Sequence, residues 1–311
     1  MPFLGIGNSA DTAFKGVFSG NTDAPSTISL IIQDTQEEGT NYYGLFGYLD
    51  SSAVVRNLNI STSIGIQAGG TVDSVGDKTG EIYAGGVAGY INNAFLYNVK
   101  ASASISITSV FSTIYAGGIA GYMKGGLSNV NKSTYDGTAT NWIIDNLSNK
   151  SNYIGYVSGY SYSAYLKDFE IINTNSNIML SSNIESNANN YLGAIFGYYD
   201  GAQRSSEISN VKLKCEGVSA LRSIIHYGDS YVGGAIGYVN ATKTLEIGDI
   251  NFINTSNEKV EFISQSLKDS SHANLYAGGL FAYITGTVNA SSEFKTNIKE
   301  QTIDGKPVKH G

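Results

Sequence analysis

The sequence predicts an all-β fold: a right-handed parallel β-helix, or β-solenoid, of about seven coils. Three observations carry that prediction. An octet typified by Tyr-Ala-Gly-Gly-Val-Ala-Gly-Tyr at residues 83–90 recurs along the chain. A second element, apolar-x-Asn/Asp-apolar, follows each of the first six octets. No segment sustains the 3.6-residue apolar period of a helix, while several alternate apolar and polar residues with the two-residue period of a strand.

In chain order, residues 1–40 are expected to form a lead-in that caps the first coil. They contain "PFLGIGNSADTAFKGVFSGN" (2–21) and then "TISLIIQD" (27–34). The repeats occupy residues 41–290. A degenerate first octet, "NYYGLFGY", starts at Asn41, and "YAGGVAGY" follows at Tyr83. The next copies are "YAGGIAGY" at Tyr115, "YIGYVSGY" at Tyr153 and "YLGAIFGY" at Tyr191. The last two are "YVGGAIGY" at Tyr231 and "YAGGLFAY" at Tyr276. All seven close on a tyrosine: Tyr48, Tyr90, Tyr122, Tyr160, Tyr198, Tyr238 and Tyr283. Successive closing tyrosines are 42, 32, 38, 38, 40 and 45 residues apart.

The second element reads "VRNLN" at Val55, "LYNVK" at Leu96 and "LSNVN" at Leu127. It continues as "LKDFE" at Leu166, "ISNVK" at Ile208 and "IGDIN" at Ile247. The expected equivalent set is therefore Asn57, Asn98, Asn129, Asp168, Asn210 and Asp249. After Tyr283 the element is missing, as terminal repeats of an array are often atypical. Residues 291–311 read as a polar tail.

A unit of this length with two or three strands is too small to bury its own faces. Stacked coils solve the problem, each strand pairing with its counterpart ~4.8 Å away. Equivalent residues then form columns. Tyrosines stack on tyrosines, and Asn amides bond their neighbours while satisfying turn backbone.

The pairing of "GGLFAY" or "YYGLFGY" with a downstream apolar-x-Asn-apolar strand resembles the GLUG repeat of bacterial surface proteins. The 2–21 segment is similar to the lead-in that often precedes such repeats. The resemblance covers roughly residues 2–290. It implies a secreted or cell-surface protein: an adhesin, an autotransporter-like passenger, or a region flanking a secreted immunoglobulin-cleaving protease. It supplies no catalytic motif. The N-terminus lacks the basic-then-apolar pattern of a signal peptide, so the expectation is an extracellular segment with flanking domains in a longer precursor.

Composition narrows the function classes. A net charge of −7, with three scattered arginines, gives no basic face for nucleic acid. No apolar run approaches the ~20 residues needed to span a bilayer. The single cysteine, Cys215, excludes an intramolecular disulfide framework and reads as a small buried hydrophobe. His226, His272 and His310 have no partner at metal-ligand spacing, so neither metal nor cofactor is expected. A phosphate-binding reading of the glycine run fails for want of a following helix and a Gly-Lys-Ser/Thr end. Gly85 and Gly89 are instead expected to leave room for neighbouring rings or for close backbone approach.

No catalytic residue is assigned. Glycoside hydrolysis needs two carboxyl groups close together, whereas Asp168 and Asp249 are read as three coils apart, near 14 Å. Three of the 22 tyrosines, Tyr162, Tyr165 and Tyr199, sit just after an octet and are the candidate ligand-binding residues. Exposed tyrosines give rigid contact area to glycan or protein partners. The expected function is thus an adhesin stalk or a module binding a host protein or glycan. The alternatives are a carbohydrate-active β-helix enzyme and a purely structural spacer.

Overall fold

A computed structural model describes residues 5–36, 38–69, 78–125, 129–138, 140–174, 177–181, 188–203, 205–216, 219–226, 228–254, 260–266, 274–290, 302–303 and 306–307. Among these the chain forms strands and turns and no helix. Every strand pairing is parallel except a short antiparallel one, Thr302–Ile303 with Lys306–Pro307. The architecture is a parallel β-solenoid.

Each octet supplies two strands separated by a bend. The first strands, from Gly39–Tyr43 through Gly80–Gly85 to Leu275–Gly278, stack into one seven-stranded sheet. The second strands, such as Ala88–Asn92 and Ala120–Lys124, stack into a second sheet that also contains the long strands of each coil. Registers are repetitive: Tyr83 pairs with Tyr115, Tyr115 with Tyr153, and Tyr90 with Tyr122. The first octet opens at Tyr42, which pairs with Tyr83, and is one residue shorter at its bend.

Glycine at the bends allows two backbones to meet. A Cβ on Gly85 would lie 2.1 Å from the Ala88 carbonyl oxygen and 2.6 Å from Ala120 Cα. One on Gly89 would lie 2.8 Å from both Tyr43 N and the Tyr83 carbonyl oxygen. Close backbone approach, rather than room for a ring, accounts for both glycines.

The apolar-x-Asn/Asp-apolar element is a corner. In the strand Val54–Ala68, Val55 and Leu58 are both buried although an odd spacing separates them. Asn57 makes this possible with φ of 56°, a left-handed conformation that short polar side chains tolerate. Asn98, Asp168 and Asn210 repeat it, with φ of 52°, 53° and 50°. Asn98 Nδ2 donates to Asn57 Oδ1 at 2.9 Å, and Asn210 Nδ2 to Asp168 Oδ1 at 2.6 Å.

One member of the expected set is corrected. Asn129 pairs with Phe95 and Tyr165, three residues before the corner, and the left-handed residue of that coil is Lys132, φ 47°. The turn after Tyr122 holds two more residues than the turn after Tyr90, and "VNKST" (130–134) lies in register with "LYNVK" (96–100), which leaves Asn129 three residues short of the corner. Lysine cannot accept a hydrogen bond, so the column divides into an Asn57–Asn98 pair and an Asp168–Asn210 pair. Asp249 keeps the register without a positive φ.

The core runs along the stack between the sheets, from Ile32 and Phe46 through Ile82, Ile105 and Ile144 to Val211 and Ile236. In its middle an aromatic island fills space opposite small residues. Tyr135 pairs with Ala101, and Trp142 Nε1 donates to the Ala103 carbonyl at 2.7 Å. Residues 17–36 lie on the first long strand, Val17 opposite Val54 and Ser26–Gln36 opposite Leu58–Ala68.

Candidate binding surface

Tyrosine dominates one edge of the stack. The closing tyrosines form a column with ring centroids 4.7–5.1 Å apart, from Tyr48 to Tyr283. The opening tyrosines, Tyr42 to Tyr276, form another at 4.6–5.1 Å. Within each octet the two rings meet edge-on, as Tyr83 and Tyr90 do at 5.5 Å and 74°. Stacking along the columns and edge contacts between them suit the ring quadrupole. Some of the hydroxyls titrate late: burial first, then the neighbouring Tyr42 and Asp50, pushes Tyr48 up to about 12. Burial and Tyr191 push Tyr153 up to about 12. These rings are structural, and most of their faces are covered by one another.

Tyr162, Tyr165 and Tyr199 separate. Tyr162 and Tyr165 are half-buried on either side of the corner at Ser163, itself left-handed with φ of 54°. The Tyr165 hydroxyl donates to the Ser205 carbonyl at 3.1 Å, which fixes the ring over the next turn. Tyr199 is wholly buried, so the expectation that it meets a ligand is corrected. It follows the closing Tyr198 directly and therefore points to the opposite face of the strand. Its register partners are Ser161 and Val239, both buried. The apolar Ile91, Met123 and Val239 at the equivalent position were the available signal.

The outer face holds two aromatic residues that sequence reasoning passed over. Phe95 and Tyr97 project from the same strand, half-buried, with centroids 6.3 Å apart and planes 9° from parallel. Phe95 shares its column with Tyr165, one rung intervening at Asn129. Lys132 Nζ sits 5.7 Å from the Tyr97 ring centroid, and Arg56 lies opposite Tyr97 on the preceding rung. The result is a shallow patch: two near-parallel aromatic rings, with Lys132 and Arg56 beside Tyr97. Such a surface can stack on a sugar ring or receive a protein loop.

Asp168 and Asp249 are two rungs apart, not three, because Asn210 alone lies between them in register. That is ~10 Å at one rung spacing each, and Asn210 donates to Asp168 from the intervening rung. Among the described residues no three metal-capable side chains gather. The side chains of Cys215, His226, His272 and His310 lie outside the described residues. No family model matches the chain, and no curated protein or solved structure shows significant similarity to it.

Proposed function

We propose that this chain is a non-catalytic binding segment of a bacterial surface or secreted protein. The solenoid acts as a stalk, and its outer face contacts a host protein or glycan. One observation carries the reading: the repeated tyrosines are consumed by columns that hold coils together, while Phe95, Tyr97 and Tyr165 stand half-buried on the outer face, outside those columns. Phe95 and Tyr165 share one column across Asn129, and Lys132 puts a cation into a corner column otherwise made of Asn and Asp. The motif resemblance to GLUG repeats supports the extracellular setting, and the acidic, arginine-poor surface fits it.

The test is binding of the chain to a glycan array and to cultured epithelial cells, with Tyr97→Ala and Tyr165→Ala as comparisons. We expect saturable binding that each substitution weakens by about tenfold, the loss of one good aromatic contact. Absence of binding to both would favour a spacer. Release of reducing ends from a polysaccharide would favour an enzyme and overturn the reading.

A further inference from the structure

Glycine in the middle of a strand marks either a close approach of backbones or a place kept open for a ligand. The octet glycines are the first kind. Gly65, in the strand Val54–Ala68, is different. The three atoms nearest a Cβ there all belong to the side chain of Gln33, with Oε1 at 2.5 Å and Nε2 at 2.6 Å. Packing of the coils therefore does not require glycine at this position.

Gly65 lies in the floor of a shallow groove on the outer face of the first four rungs. Ser63, Ser104 and Ser106, small and hydroxylated, line it as well, with Gln67 and Thr108 further along the strands. In register, Gln33 faces Gly65 from one side, and Ile143 stands beyond Ser106 on the other. Ile143 is 40% exposed, so one lip presents a bare aliphatic side chain, while Gln33 and Thr35 stand on the other. The groove spans three rung spacings, ~14 Å, between its walls.

Its lining holds no cation and one carboxylate, Asp34, whose Oδ2 accepts from Tyr43 OH at 2.8 Å. Nearby, Asp145 Oδ1 accepts from Ser181 Oγ at 2.6 Å. Serine hydroxyls and the Gln33 and Asn141 amides both donate and accept. Such a floor complements hydroxyls, which also do both, and the exposed Ile143 suits the C–H face of a pyranose. A polyanion would find no cation here among the lining residues, and an apolar peptide would strand the floor hydroxyls without partners.

We propose that this groove binds an uncharged oligosaccharide chain, the Gln33 side chain that lies over Gly65 turning aside to admit and meet it. The proposal deepens the binding-module reading and rests on it.

Calorimetric titration of the whole chain with cellohexaose, mannohexaose and xylohexaose, and with the anionic hexagalacturonate, tests it. The variants are Gly65→Thr and Ser106→Tyr, both on the outer face. We expect at least one neutral hexaose to bind and hexagalacturonate not to bind. Each variant should weaken the neutral ligand by at least about tenfold, while the melting temperature stays level or rises because a strand former has replaced a poor one. Three results would overturn the proposal: no neutral hexaose binds, both variants retain full affinity, or hexagalacturonate binds equally well. If saccharide binding is lost in Tyr97→Ala but kept in the groove variants, the groove proposal fails while the binding-module reading stands.

Discussion

Gly117 and Gly65 both sit within strands, and the space beside their α-carbons differs. A Cβ on Gly117 would lie 1.9 Å from the Ala120 carbonyl oxygen and 2.8 Å from Ser158 Cα, both backbone. Gly117→Ala must spread two rungs, so it should lower stability by roughly 3 kcal/mol, the upper range for overpacking. Urea unfolding measures this, and a loss near zero would mean the bend yields. Lys132 gives a prediction of opposite sign. Asn at that corner tolerates the left-handed backbone better and can bridge Asn98 to Asp168. Lys132→Asn should therefore raise stability by about 1 kcal/mol, one net hydrogen bond, less the lost contact with Tyr97. A lower melting temperature would show that the cation over Tyr97 matters more than the column.

At the scale of elements, the two tyrosine columns are the most repetitive feature of the molecule. Tyr122 stacks on Tyr90 at 4.8 Å and on Tyr160 at 4.7 Å, and meets Tyr115 edge-on at 5.7 Å. Tyr122→Ala should cost roughly 2–3 kcal/mol, two aromatic pairs at about 1 kcal/mol each plus lost burial. Tyr122→Phe keeps the rings and should cost much less. Tyr283→Ala should also cost less than Tyr122→Ala, since Tyr283 has one stacked neighbour and is 40% exposed. The columns also set an alkaline limit. Tyr48 and Tyr153 titrate near 12 when folded, against an ordinary value of 10. Between these values the unfolded chain has lost protons that the folded chain keeps, so stability falls as pH rises. It is intact below pH ~10 and drains away from there upward. Tyrosinate absorbance followed together with circular dichroism should show the late-titrating tyrosines, Tyr48 and Tyr153 among them, ionising together with unfolding. Full ionisation of a still-folded chain would contradict this.

For the whole molecule, each coil touches mainly its neighbours, so stability should vary along the stack. Amide exchange is expected to be slowest in the middle rungs, around Ile105, Ile144 and Leu166, and faster toward Phe281–Ala290. At that end Ile284 is 44% exposed, whereas its register partner Val239 is buried. Uniform exchange along the chain would instead indicate a single cooperative block.

The sequence by itself determined the class of fold and the tyrosine columns. A motif repeated seven times must be placed equivalently seven times, and only stacking in register lets units this small bury their faces. It also located the corners at Asn57, Asn98, Asp168 and Asn210, although they stand 8 to 12 residues after the closing tyrosine. Tertiary structure alone decided the rest. The corner after Tyr122 falls at Lys132 and not at Asn129, and local spelling was ambiguous because "LSNVN" also fits the motif. Side-chain direction reverses at each residue and again at each left-handed corner. For that reason Tyr199 points into the core, while Phe95 and Tyr97, hidden inside a repeat element, face outward. The groove over Gly65 combines residues from four rungs, brought together only when the coils stack.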